Sequence, residues 1–231
     1  MKRSLFVLIC CVPFLSSCFE LREELFIHKE GWGNYKLVVD LSEHREMFQE
    51  LTAKTDTSTH NPFGKKGASF QELIDAWGLG AERLGQLNGV FNAKEIVDKK
   101  NYLIGLRFEF QDISALNLAL TLRDGGEFNP SFQLPYSYEK GKLNKNDVFI
   151  FQKLLKYLND SNKEDVRFNN QKKAIFAQIS YTTVIKTSGR IKKHNNSHFS
   201  MEANQKELSA SAPLNEVLSG AVKLNTLVKF K

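Results

Sequence analysis

From Tyr102 to Phe110 an apolar residue falls at every second position: Tyr102, Ile104, Leu106, Phe108 and Phe110. Successive side chains of a strand point to opposite faces, so this run buries one coherent face only as a β-strand. It commits the chain to a sheet with one side in a core. The same alternation recurs along the chain. Leu21 to His28 puts Glu23, Leu25 and Ile27 on one face, and Tyr35, Leu37, Val39 and Leu41 follow after Gly31-Trp32-Gly33-Asn34, a turn whose glycines tolerate positive φ. These two runs read as a hairpin. Val90 to Val97 reads as a strand, with its turn at Asp98 to Asn101. Phe132, Leu134, Tyr136 and Tyr138 alternate before a turn at Gly141, with Pro135 at an outward position that suits an edge strand. Ile175 to Ile185 and Val222 to Phe230 are further strands, and Phe199 with Met201 faces Leu208 with Ala210 across Ala203-Asn204-Gln205.

Helical spacing separates these strands. Ser42 is placed to cap a helix carrying His44, Met47, Phe48 and Leu51. Phe70, Leu73, Ile74 and Trp77 recur at i, i+3, i+4 and i+7. A short helix carries Leu84 and Leu87, and Asp112 or Ser114 caps one that runs to Leu122. Phe151, Leu154, Leu155 and Leu158 mark another, and Pro213 opens the last, with Leu214, Val217 and Leu218. Residues 54–68, 159–170 and 192–200 are polar and read as loops. Together these patterns predict an α+β fold: a mostly antiparallel twisted sheet built from hairpins, with amphipathic helices packed on one face.

The N-terminus has a different character. Lys2 and Arg3 precede an apolar run from Leu5 to Leu15, which ends in Ser16-Ser17-Cys18. The run is shorter than the ~20 apolar residues a spanning helix needs, and Pro13 disfavours such a helix further. A signal-peptide core has this length. Leu15-Ser16-Ser17-Cys18 resembles the lipobox of bacterial lipoproteins. In that family the leader is cut before the cysteine, whose thiol carries a diacylglyceryl group and whose new amine is acylated. The resemblance implies residues 1–17 as signal peptide, Cys18 as lipid attachment and the start of a first strand within 18–30, and a single α+β domain over 18–231. The alternative is a plain secretory leader with a chance cysteine. Two acyl chains suffice for stable membrane attachment.

Glu23-Glu24-Leu25-Phe26-Ile27, a Gly-rich turn, and Tyr35-Lys36-Leu37-Val38-Val39-Asp40-Leu41-Ser42 come after the lipobox. This opening resembles lipoproteins common in Bacteroidetes, where a lipid cysteine precedes a hairpin whose second strand ends in Asp-hydrophobic-Ser. The turn departs from the pattern, with Gly-Trp-Gly-Asn where Gly-Ser-Gly is expected. That family implies a fold and a place in the cell envelope, at the outer membrane, and no activity.

Cys10, Cys11 and Cys18 are the only cysteines, so a chain cut before Cys18 and acylated on that thiol has none left for a disulfide, a thiol nucleophile or zinc. Charge is uneven. Residues 18–140 carry 14 Lys+Arg and 19 Asp+Glu, whereas residues 141–231 carry 16 and 7. For an exported protein this favours anionic lipid or acidic polysaccharide over nucleic acid as a partner of the basic half. Lys186, Arg190, Lys192 and Lys193 form the candidate anionic-surface contact. A solvated surface is the alternative.

Signatures of catalysis are missing. There is no GxGxxG after a strand, no phosphate-binding GxxxxGK[ST], no HExxH and no GxSxG. His194 and His198 are four apart but fall in a polar segment that reads as loop, so no metal site is expected. Glu23 and Glu24 point to opposite faces of a strand and cannot act on one atom. Phe132, Tyr136, Tyr138, Phe149 and Phe151 cluster near Pro130 and Pro135, either as core or as the lining of an apolar cavity. The residues favour a non-enzymatic envelope lipoprotein, a binding or scaffold module. It is held to the membrane by its lipid, takes an envelope protein or lipid as partner, and needs no cofactor. Two alternatives stay open: a carrier of an apolar or lipid ligand, which a filled concave side opposes, and an envelope hydrolase with dispersed carboxylates, which convergent acids would support.

Overall fold

The computed structural model describes residues 19–42, 80–123, 134–146 and 178–231. The first hairpin forms as its alternation predicts. β1 (Phe19–Ile27) and β2 (Gly33–Asp40) pair antiparallel from Glu20 opposite Asp40 to Ile27 opposite Gly33. Gly31 closes the turn at φ 95°. Gly33 is required by close approach, since a Cβ there would lie 1.9 Å from the Phe26 carbonyl oxygen. β3 (Val90–Asp98) and β4 (Leu103–Phe110) form the second hairpin. In its turn, Asp98 Oδ1 accepts hydrogen bonds from the backbone N–H groups of Lys100 and Asn101, both at 3.0 Å.

The remaining strands complete the first sheet and build a second. β5 (Tyr136–Glu139) and β6 (Lys142–Lys145) form a short hairpin through Gly141, at φ 73°. β7 (Ile179–Thr187) is long, and β8 (Ile191–His194) comes after it, beyond Gly189. β9 (Ser200–Met201) pairs with β10 (Glu207–Pro213) across the expected turn. β11 (Thr226–Phe230) ends the chain's regular structure. Three helices lie among the described residues: α1 (Ala81–Gly85), α2 (Ile113–Arg123) and α3 (Leu214–Ser219). α1 packs on β3 and β4, α2 on β3, β4 and β5, and α3 on β7 and β10. Of the two candidate caps it is Asp112 that caps α2, its Oδ1 accepting from Ala115 N–H at 2.9 Å.

The architecture is α+β and mostly antiparallel, with two corrections to the predicted single sheet. The described residues form two sheets, one of seven strands in the order β3-β4-β2-β1-β7-β10-β9 and one of four in the order β5-β6-β11-β8. And β1, interior to the larger sheet, pairs parallel with β7, from Phe19 opposite Ile179 to Ile27 opposite Thr187. Alternation tells which face a strand buries, not which neighbour it takes or in which direction. Smaller departures have local causes. β6 escapes sequence prediction because Leu143 is its single apolar residue, and β8 resembles a loop because it has only Ile191. Leu134 is exposed and outside β5, and Pro135 is buried rather than outward, although β5 is an edge strand. The predicted helices over 43–51, 70–77 and 151–158, the apolar residues Phe132, Ile175 and Ala177, and the leader lie outside the described residues.

The core fills the space between the sheets. Leu25, Ile27, Tyr35, Leu106, Phe108, Phe110 and Ile185 of the large sheet, Tyr136, Leu143 and Val228 of the small one, and Leu116 and Leu120 of α2 all belong to one buried cluster. α2 is apolar on more than one side, which suits a helix covered by both sheets.

Candidate functional site

Glu23 occupies an inward position of β1, between Leu21 and Leu25, and its side chain is fully buried. Strand parity put it there, and burying an uncompensated carboxylate costs several kcal/mol, about as much as a domain can spare. Five side chains compensate it. Tyr35 of β2 and Tyr136 of β5 donate their hydroxyls to Oε1 at 3.0 and 2.8 Å. Tyr181 and Thr183 of β7 donate to Oε2, Tyr181 through a short hydrogen bond and Thr183 at 3.2 Å. Lys145 of β6, also fully buried, brings Nζ to 3.5 Å from Oε2 and donates to the Tyr181 hydroxyl at 3.4 Å. Its ammonium also lies 5.7 Å from the centre of the Tyr181 ring.

The electrostatics derive from this shell. Burial alone would push the Glu23 carboxyl up. The Lys145 charge and the hydrogen bonds from Tyr181, Tyr136 and Tyr35 outweigh it and hold the group below its ordinary value. Burial, then the Glu23 charge, pushes the Tyr136 phenol well above its ordinary value, so it remains a donor. The cluster is therefore a carboxylate and an ammonium with three phenols and an alcohol as donors, neutral in sum.

Tyr136 is itself held by a polar clamp. Asn117 of α2 donates from Nδ2 to the Tyr136 carbonyl at 2.8 Å and accepts from the Tyr136 N–H at 3.0 Å through Oδ1. The amide thus stands in for a neighbouring strand beside an edge strand. The cluster joins β1, β2 and β7 of the large sheet to β5 and β6 of the small one, and the clamp adds α2. Chemically it is a lock, since each polar atom faces inward and none reaches solvent.

Sequence patterns do not single out Lys145, Tyr35, Tyr181 or Thr183, and they place Glu23 on the apolar face without giving it a role. The one available signal is that phase: a carboxylate aligned with Leu25 and Ile27 needs a buried partner. The partner is illegible, because Lys145 lies far along the chain in a strand without periodicity.

Each predicted site residue has a definite place. Cys18 lies outside the described residues, immediately before β1. Lys186 ends up paired with acids of the large sheet. It lies on the outer face of the large sheet, where Nζ is 3.2 Å from Glu24 Oε2 and 4.0 Å from Glu207 Oε2. Arg190, Lys192 and Lys193 are exposed at the start of the small sheet's β8. His194 ends β8 with Nδ1 2.9 Å from the Asn196 carbonyl, and His198 is exposed in the turn beyond. Among the described residues no three His, Cys, Asp or Glu side chains gather to hold a metal. Of the aromatic cluster, Tyr136 is spent on Glu23, and Tyr138 packs on Phe230 while donating to the Lys29 carbonyl at 2.6 Å. Phe132, Phe149 and Phe151 lie outside the described residues.

On the outer face, Glu24 opposes Lys36 across β2 and takes a 2.9 Å hydrogen bond from Arg22 Nε. Partial burial raises its carboxyl, but Arg22, Lys186 and Lys36 outweigh that and bring it down to about 2. A carboxyl depressed from 4.5 contributes stability that is complete above that value and is lost as pH falls through about 2. Acid unfolding followed by circular dichroism should therefore show a loss between these limits that Glu24→Gln reduces. An identical acid profile in the variant would refute the assignment.

No protein-family model matches the chain, and no curated protein matches it. Among solved structures, the folded domain of Mycobacterium tuberculosis LppM, determined by NMR, is similar over 100% of this chain and 95% of that one, with 7% identity and a TM-score of 0.40. That score is low, so the functional conclusion rests on the chain's own residues. They define a two-sheet α+β domain closed by a sealed ionic cluster. Among the described residues no helix is long and apolar enough to cross a membrane.

Proposed function

We propose that this chain is a cell-envelope lipoprotein, anchored through Cys18 at the outer membrane, whose domain acts by binding rather than catalysis. The observation that carries the reading is the contiguity of Leu15-Ser16-Ser17-Cys18 with Phe19, the first residue of β1. A leader cut before Cys18 leaves a chain whose second residue is already in the sheet. The opening hairpin supports the Bacteroidetes resemblance. Its Asp40-Leu41-Ser42 ending has a physical reason, since Asp40 Oδ1 accepts the Ser42 N–H at 2.9 Å and turns the chain out of β2.

The Glu23 cluster is not itself a hydrolytic site. Its single carboxylate is sealed and satisfied, whereas a hydrolase needs acid and base groups that reach substrate. The carrier reading is weakened at Tyr136, a candidate cavity-lining residue, because the space around its hydroxyl is filled by Glu23, Lys145 and Tyr181. Mass spectrometry of the N-terminal peptide of the native protein tests the proposal. It should begin at Cys18 and carry acyl chains. A peptide beginning at Met1 with a free thiol would overturn it.

A further inference from the structure

We infer that the outer face of the small sheet binds a polyanionic polysaccharide, one that carries carboxylate or phosphate groups along its length. The face has a row of lysines in register: Lys142 of β6 stands opposite Lys229 of β11, and Lys229 opposite Lys193 of β8. Adjacent strands are about 4.8 Å apart, so the three ammoniums stem from neighbouring points on one line. The intervening inward residues, Leu143 and Val228, are fully buried, which fixes the lysines on the opposite, outer face. Lys142 and Lys193 are exposed and Lys229 is half-buried. Among the described residues one acid stands in the row, Glu139 opposite Lys142, and it already pairs with Lys140 at 3.4 Å.

Three more cations extend the row. Arg190 and Lys231 are exposed and tied together, the Lys231 N–H donating to the Arg190 carbonyl at 2.9 Å. Lys192 is exposed where β8 and β11 shift register. Like charges directly opposite across a sheet oppose folding. A chain ligand with recurring negative charge relieves that repulsion on three strands at once, which a single small anion cannot.

Position argues for a polymer in the aqueous space over the anchoring bilayer, and this step rests on the proposed Cys18 anchor. β1 begins beside Cys18 and runs nine residues, about 26 Å at the usual rise, toward the opposite end of the sheet. The row belongs to that far end. Ser188 donates to the Ile27 carbonyl at 3.2 Å, and Phe230 to the Gly141 carbonyl at 2.9 Å, while Tyr138 of the small sheet reaches Lys29. Headgroup charge is screened within about 8 Å at physiological salt, well short of that span.

The test uses the full acylated protein in discs of neutral phosphatidylcholine, with fluorescent polygalacturonate as probe and phosphatidylglycerol vesicles as the alternative ligand. The wild type should bind polygalacturonate with an affinity that falls as salt rises, and K142Q/K193Q/K229Q should weaken binding about tenfold or more with a shallower salt dependence. That variant should melt no lower than the wild type, because it removes repulsion. K99Q/K100Q, in the β3–β4 turn at the Cys18 end, should bind as the wild type does. Equal binding by the triple variant overturns the inference, as does wild-type binding to the vesicles alone or to neither ligand. Cys18→Ala separates the two proposals, since it removes anchoring while leaving the row intact.

Discussion

Lys145→Met should cost the domain about 3–5 kcal/mol, the expected penalty for removing one partner of a buried ion pair. A domain's whole stability is about 5–15 kcal/mol, so the variant should be barely folded at room temperature. The loss comes less from the missing ammonium than from what it leaves: the Glu23 carboxylate, wholly buried, with its opposite charge gone. The pH dependence should change sign at this group. In the wild type Glu23 sits below its ordinary value, so its contribution is present above that value and lost on acidification. In Lys145→Met burial dominates and raises the group, so the variant should be more stable in mild acid and weaken as pH rises. Urea unfolding across pH measures both effects. The double variant Glu23→Gln/Lys145→Met should recover most of the loss. The Gln oxygen still accepts from Tyr35 and Tyr136, and its amide donates to the hydroxyl oxygens of Tyr181 and Thr183. A single variant as stable as the wild type would show that the cluster does not lock the two sheets.

Cys18→Ala should move the protein from the membrane fraction to the soluble fraction almost entirely. Each buried methylene contributes about 0.8 kcal/mol, so two or more acyl chains dominate the partition and losing them leaves no comparable attachment. The fold should be untouched, because Phe19 enters β1 through its own hydrogen bond, its N–H donating to the Gln178 carbonyl at 3.3 Å. Cell fractionation with thermal melting of the released protein checks both halves. A variant that remains membrane-bound would remove the anchor from the account.

Much of the candidate site is hidden from sequence for one reason. Lys142, Leu143, Asn144 and Lys145 contain a single apolar residue, and the strand they form has no alternation to announce it. Lys145 takes a core position that a sequence pattern assigns to a hydrophobe, and only the nearby Glu23 makes that tenable. The lysine row is hidden similarly. Lys192 and Lys193 are visible as a basic segment, but Lys142 and Lys229 join them only through strand pairing. Lys186, close to them in sequence, pairs instead with Glu24 and Glu207.

What the amino-acid order determined alone was local. It set the hairpin of β1 and β2, the strand from Leu103 to Phe110, a capped helix start at Asp112 or Ser114 and the turn at Gly141, because alternation and turn chemistry act between neighbours. The leader and its cysteine are an expectation from the same local patterns, and the proposed anchor rests on it. Tertiary structure decided the division into two sheets, the parallel pairing of β1 with β7, and the meeting of Glu23 with Lys145. A strand's period states which side it buries, but the identity of its neighbour depends on the shape and charge of surfaces distant in the chain. A buried charge finds its partner only when those surfaces close.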